Sequence, residues 1–267
     1  MFILFRHLFT QQIFVIQGFL SYNKKVGYML TLLKAGCGWY PIQRTKMKDT
    51  VKRNLLEIRQ KIEPYTPNII AVTKYFDHTA IIESYNAGIR DFGENRVLDA
   101  VAKIELLSDE IKKNSKFHLI GHLQKNKVKK AVGNFDLIHS VDSLELANAI
   151  NNEAEKKKII QNVLIQINNA KEPQKSGFYP EDIMEIFGDL LKLPNIKIKG
   201  LMNMAPLIKD RVEILRLFQD VAQVRRSLEN RYGIRLEELS MGMSGDYDLA
   251  AQAGATMIRL GRVLFNK

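Results

Sequence analysis

From about residue 68 onward, apolar and polar positions in this chain follow a repeating order. Short apolar runs rich in aliphatic residues occupy Asn68–Lys74, Ile89–Phe92, Lys116–Ile120, Phe135–Ile138, Asn162–Ile167, Ile196–Gly200, Glu238–Met241 and Thr256–Leu260. Each reads as a strand, and stretches of helical period lie between them. A helix is predicted near Thr79–Ala87, and the clearest ones at Leu144–Lys156 and Arg211–Tyr232. Another is predicted to open at Met47, with Asp49 or Thr50 as N-cap and Leu55, Leu56, Ile58 and Ile62 as its apolar stripe. Eight strands alternating with helices predict an α/β fold of the (β/α)8 TIM-barrel type, whose chemistry sits where the strands end. Nearly every run here ends in a polar, glycine-rich or charged cluster. No low-complexity linker or charge block interrupts Met47–Lys267, so this span reads as one domain.

Residues 1–46 stand outside this order. They are free of acids and rich in aromatics, and Arg6, Gln11, Gln12, Lys24 and Lys25 break their apolar patches. No run there approaches the ~18–20 residues that a membrane-spanning helix needs. Charge sharpens the division. Of the net charge of +11, residues 1–48 contribute seven positive charges and no negative one, which leaves +4 for the remainder. That is ordinary for a globular domain and gives no reason to expect nucleic acid or a membrane as partner. The single cysteine, Cys37, also lies in the leader, so no intrachain disulfide, thiolate metal cluster or dithiol motif is available. Three readings of residues 1–46 stand: an organellar transit peptide, a poor secretory signal or membrane-surface helix, or a start assigned too early with Met47 as the true first residue, the segment otherwise being disordered. The third is favoured, with the barrel expected in the cytoplasm, and in an organelle only if residues 1–46 are a genuine transit peptide.

The candidate chemistry lies at the strand ends. Lys74 closes the first run on a lone amine, able to form a Schiff base with a carbonyl compound. Loops after strands seven and eight often bind phosphate in such barrels, and here they hold Ser244-Gly245 and Gly261-Arg262. Glycine lets backbone N–H groups approach an anion, although glycines at these positions also serve simply as turns. In strand eight, alternation puts Met257, Arg259 and Gly261 on the inner face and Ile258 and Leu260 on the outer. An inward guanidinium needs an acceptor: a carboxylate such as Glu94 or Asp142, or a ligand atom such as a pyridine nitrogen. An amine, an anion cradle and an inward arginine together suit pyridoxal 5′-phosphate (PLP), with Asn95 near enough to bond the ring hydroxyl. His118 and His122 sit four apart in a strand, about 13 Å, too far for one metal ion. His139 and Asp142 could form a dyad, but no nucleophile accompanies them. Lys125, Lys127, Lys129 and Lys130 read as a solvated helix face, with RNA contact as the weaker alternative.

These segments also carry a resemblance. Ala71-Val72-Thr73-Lys74, Phe92-Gly93-Glu94-Asn95, Phe117 to Lys127, His139-Ser140-Val141-Asp142-Ser143, Lys175-Ser176-Gly177-Phe178, Gly200-Leu201-Met202, Leu239 to Ser244 and Ile258-Arg259-Leu260-Gly261 occur in order. Each motif is weak alone; in series, from Met47 to the end, the chain resembles the pyridoxal phosphate homeostasis proteins, the YggS/PROSC family. The resemblance implies a barrel like the N-terminal domain of alanine racemase (PLP fold type III) without the racemase's second, β-rich domain. It implies that Lys74 is the Schiff-base lysine, that Arg259 faces the pyridine nitrogen, and that Ser244 and the Gly261 region hold the phosphate. Two departures stand out: Phe117 where many members have tryptophan, and Arg262 in place of a small Thr or Ser. The resemblance further implies a monomer that carries PLP, supplies it to PLP-dependent apoenzymes and turns nothing over. An amino-acid racemase is the alternative. Racemisation needs acid/base groups on both faces of the substrate carbon, and the family lacks the racemase's second-domain tyrosine.

Overall fold

The computed structural model describes residues 40–266, so most of the leader, residues 1–39, lies outside the described residues. Met47–Lys267 forms one compact unit. In it, eight parallel strands close into a barrel in chain order, with the last pairing back onto the first. They are β1 (Asn68–Val72), β2 (Asp91–Glu94), β3 (Lys116–Leu119), β4 (Leu137–Val141), β5 (Gln161–Ile167), β6 (Ile196–Asn203), β7 (Glu238–Ser240) and β8 (Met257–Leu260). The helices are α1 (Tyr40–Lys61), α2 (His78–Asn86), α3 (Val97–Glu105), α4 (Asp109–Lys113), α5 (Val128–Ala131), α6 (Leu144–Lys157), α7 (Pro180–Leu191), α8 (Arg211–Tyr232), α9 (Tyr247–Gln252) and α10 (Arg262–Phe265). Among the described residues, no helix is long and apolar enough to cross a membrane.

Side-chain alternation along the strands produces two separate apolar cores. Ile70, Leu137, Leu164, Met202 and Met257, from five different strands, cluster with Met204 inside the barrel. Their neighbours Ile69, Ala71, Ile138, Val163, Ile165, Leu201, Ile258 and Leu260 belong instead to the larger core beneath the helices. Arg259 therefore lies on the inner face, as the alternation predicts, and is buried there.

Several boundaries differ from the sequence reading, four of them for a local reason that the contacts show. Helix α1 begins at Tyr40, so Asp49 and Thr50 lie inside it rather than at its cap. Pro41 falls in its first turn, where the missing N–H leaves no bond unmade. The buried stripe of α1 is Val51, Leu55, Ile58 and Ile62, and Leu56 faces solvent. Strand β1 stops at Val72 because Thr73 takes one more ladder bond, to the Gly93 carbonyl at 3.1 Å, and then opens a turn closed by Phe76 N–H at 2.9 Å. Strand β2 starts late because Ile89 N–H is used by the α2 exit, bonding the Ser84 carbonyl at 3.0 Å. Strand β4 runs on through His139 and Ser140, polar residues that read as a loop, because both find partners in the interior.

Candidate functional site

Lys74 occupies the second position of the turn Thr73–Phe76, exposed at the end of β1, with Nζ 4.9 Å from the Tyr75 ring centroid. Among the described residues its amine has no carboxylate partner. The backbone just before it is held firmly. Thr73 Oγ1 donates to Glu94 Oε1 at 2.7 Å, and Lys103 Nζ donates both to that oxygen at 2.7 Å and to the Thr73 carbonyl at 2.8 Å. Glu94 is buried, so this lysine–glutamate pair clamps the rim at the end of β1. Sequence reasoning offered Glu94 to Arg259; the structure commits it to Lys103 instead. Lys103 went unnoticed because nothing in its own helix marks it, and only closure of the barrel brings it beneath the turn.

Arg259 is held by two neutral acceptors rather than a carboxylate. Its Nη1 donates to Ser240 Oγ at 2.7 Å and its Nη2 to the Asn203 carbonyl at 2.8 Å. Asp142, the other acceptor considered, lies 3.1 Å from His122 Nδ1. Burial lowers the Arg259 pKa to about 10, with Asp246 pulling it upward, so the side chain remains a cation at neutral pH. Among the described residues, two of its five N–H donors have an acceptor. The rest can meet an acceptor supplied from outside.

The loops after β7 and β8 meet. Val263 N–H donates to Ser244 Oγ at 3.3 Å, which leaves the Ser244 hydroxyl hydrogen free to donate elsewhere. Among the described residues, the N–H groups of Ser244 and Gly245 have no acceptor, and the space where a side chain on Gly245 would begin is open. Asp246, absent from the sequence reading, shapes this loop: its Oδ1 accepts from Met243 N–H at 2.5 Å. An aspartate just ahead of a helix was the available signal. Burial raises the Asp246 pKa. Gly261 leads into α10 and lies against Val72, which sets this corner beside the base of the Lys74 turn. Arg262 is exposed.

Asn95 follows β2 and is half-buried, with Gly121 packed against its backbone. A cavity of about 280 Å³ opens beside it, lined by Arg96, Leu98, His122, Gln124 and Lys127 among others; Lys74, Ser244 and Arg259 are not in its walls. Phe117 stacks on Phe92 with ring centroids 5.9 Å apart. Lys125 pairs with Glu145, and Lys129 and Lys130 face solvent, so the basic run is a solvated surface. Among the described residues, no group of three or more His, Cys, Asp or Glu is arranged to hold a metal ion.

His139 does not pair with Asp142. Its Nε2 lies 3.0 Å from His118 Nδ1 and its Nδ1 lies 3.0 Å from Ser240 Oγ. Burial first, then the neighbouring His118 and Arg259, hold the His139 pKa well below the usual histidine range. In the unfolded chain this histidine takes a proton near pH ~6.5, and in the folded protein it does not. The unfolded state therefore binds more protons below that pH. Stability is highest above ~6.5 and falls as pH drops, by up to about 1.4 kcal/mol per pH unit from this residue until its folded pKa is reached. Thermal melts near pH ~7 and ~5.5 should show a larger acid-induced loss in the native protein than in His139→Asn. Equal losses would remove His139 from the account.

The alanine racemase N-terminal domain family matches residues 47–266. The pyridoxal phosphate homeostasis protein of Aquifex aeolicus is 39% identical over 74% of this chain and 86% of its own length. That of Escherichia coli K12 is 33% identical over 80% of this chain and 95% of its own. The solved structure of PipY from Synechococcus elongatus with PLP bound is 38% identical, with a TM-score of 0.73, covering 81% of this chain and all (100%) of PipY. An alanine racemase from Clostridium difficile shares the fold at 18% identity, with a TM-score of 0.65 over 82% of this chain and 57% of the racemase.

Proposed function

The chain belongs to the alanine racemase N-terminal domain family and, within it, to the pyridoxal phosphate homeostasis proteins, and from that premise we propose that it binds PLP at the mouth of the barrel and serves intracellular PLP homeostasis. When bound, PLP supplies an aldehyde that links to an amine as a reversible imine, and Lys74 is the amine we assign to it. The unengaged N–H groups of Ser244 and Gly245, the Ser244 hydroxyl and the start of α10 at Gly261 form the phosphate cradle. Asn95 supports the ring from the β2 side. Arg262 contributes its backbone N–H rather than its exposed side chain.

The observation that carries the carrier reading is the state of Arg259. A buried guanidinium that stays charged at neutral pH donates hydrogen bonds and accepts none. A ring nitrogen facing it is kept unprotonated, which weakens the ring as a sink for electrons from a substrate carbon. Such a site favours holding PLP over racemising amino acids. The barrel acts as a monomer in this reading and releases PLP to dependent apoenzymes.

The test is a visible spectrum of the protein incubated with PLP, before and after borohydride reduction, followed by mapping of the modified peptide. An absorption band that reduction removes, with the mass increase on Lys74, is the expected result. Assays with alanine and serine of each hand should give no racemisation above free PLP. Robust turnover would overturn the carrier reading.

A further inference from the structure

Ser240, His139, His118 and Asp91 continue the contacts of Arg259 across the barrel interior. Arg259 Nη1 reaches Ser240 Oγ at 2.7 Å, and Ser240 Oγ lies 3.0 Å from His139 Nδ1. His139 Nε2 lies 3.0 Å from His118 Nδ1, and His118 Nε2 lies 3.0 Å from Asp91 Oδ1. The five residues come from β8, β7, β4, β3 and β2. His118, His139, Ser240 and Arg259 are buried; Asp91, first residue of β2, is the one partly open to solvent.

Hydrogen positions follow from the chemistry at the two ends. Arginine only donates, so Ser240 Oγ accepts from Nη1. An ionised Asp91 only accepts, so His118 carries its proton on Nε2 and, when neutral, accepts at Nδ1. His139 must then donate from Nε2 and accept at Nδ1, which is where the Ser240 hydroxyl delivers its hydrogen. At the Arg259 end Ser240 Oγ accepts from Nη1 while giving its own hydrogen to His139 Nδ1, so every donor points from Arg259 toward Asp91. A second proton on His118 would reverse His139 and leave the Ser240 hydroxyl hydrogen without an acceptor among the described residues. In a buried setting an unmade hydrogen bond of that kind costs about 1–3 kcal/mol.

We propose that Asp91, His118, His139 and Ser240 form a one-directional hydrogen-bond relay that positions Arg259 as a donor toward the cofactor ring, making these four residues positioning residues of the site. The relay holds one edge of the guanidinium on Ser240 while the Asn203 carbonyl holds the other, so the unused N–H groups keep one direction. It also sets the Asp91 carboxylate at the far end of a polarised chain of bonds. The role toward the ring rests on the PLP reading above; the proton arrangement rests on the protein alone.

Long-range ¹H–¹⁵N correlation on the histidine-labelled full chain without PLP reads the arrangement directly. The expected result is His118 and His139 both neutral, each with its proton on Nε2. A doubly protonated His118, or His139 protonated on Nδ1, overturns the relay. PLP retention is then measured in Ser240→Ala, Asp91→Asn and Ser240→Thr, with folding checked by melting. Ser240→Ala and Asp91→Asn should weaken retention on the order of tenfold, the loss expected for a hydrogen bond to a charged group. Ser240→Thr, which keeps the hydroxyl, should recover most of it. Retention unchanged in Ser240→Ala, or not recovered by Ser240→Thr, overturns the positioning role even if the tautomers are as assigned. If the unaltered protein takes up no PLP on Lys74, the cofactor reading itself fails, a result separable from the tautomer measurement.

Discussion

Lys74→Ala should remove the reducible absorption band and leave no borohydride-fixed PLP on the protein. The expectation follows from which amines around the barrel mouth are free to react. Lys103 donates to Glu94 and to the Thr73 carbonyl, and Lys175 pairs with Glu172 and donates to the Ala205 carbonyl. An amine engaged by a carboxylate and a carbonyl must give up those bonds before it can attack an aldehyde. Among the described residues Lys74 Nζ makes no ion pair and lies by the face of Tyr75, a weak and solvent-exposed contact. Lys103 and Lys175 would each have to break an ion pair before taking its place. Because the side chain is exposed, its loss should change folding stability by no more than about 0.5 kcal/mol, so the loss of the band cannot be blamed on unfolding. Lys74→Arg sharpens the test. It keeps the positive charge and the Tyr75 contact but cannot condense with an aldehyde, and it should behave as Lys74→Ala. Full labelling in either variant would move the covalent site to another lysine.

What could be read in advance, and what could not, divides along the range of the interactions. The inner position of Arg259 was legible because strand alternation is local: Met257 and Arg259 face in, and Ile258 and Leu260 face out. Helix α8 was legible to the residue, with Asp210 capping its start and Gly233 in the left-handed conformation at its end. The acceptors of Arg259 were not. Glu94 and Asp142 were plausible on charge alone, yet each had a nearer cation or histidine that only the closed barrel reveals. His139 and Ser140 misled for a related reason. Polar residues at the end of an apolar run look like the start of a loop, whereas here Ser140 Oγ bonds the Gly121 carbonyl at 2.7 Å and His139 enters the interior relay. A polar residue inside a strand can be recognised only once its partners, tens of residues away, are in place.

That division also bears on function. The residues assigned to PLP itself, Lys74, Asn95, Ser244, Arg259 and Gly261, sit at strand ends where sequence patterns mark them. The residues that hold them in place, Thr73, Glu94, Lys103, Asp246 and the relay, are set by contacts across the barrel. A site that holds a reactive aldehyde without consuming it depends on the second group as much as the first, because a misaligned amine or donor loses retention before it loses the fold.

Gly121→Ala should be among the most damaging single-methyl changes near the site. Gly121 follows β3, and a Cβ built on it would lie 2.3 Å from the Asn95 carbonyl oxygen and 2.8 Å from its Cα. Both are backbone atoms, which no side-chain rotation can move aside. Neither neighbour can yield easily. The Gly121 carbonyl is fixed by the Ser140 hydroxyl, and Asn95 follows directly on Glu94, the centre of the clamp beneath Lys74. Relief must come from parting the ends of β2 and β3, which costs the Ile120 N–H bond to the Glu94 carbonyl at 2.9 Å. Overpacking of this kind costs about 3 kcal/mol, which for a domain of this size lowers the melting temperature by roughly 10 °C. Gly245→Ala is the matched control. It adds the same methyl where nothing lies within 4 Å, so its melting temperature should stay within ~2 °C of native. Where Gly121→Ala remains folded at low temperature, the displaced Asn95 should also weaken PLP retention. A Gly121→Ala protein that melts like the native one would show that β2 and β3 do not approach each other as closely as the structure places them.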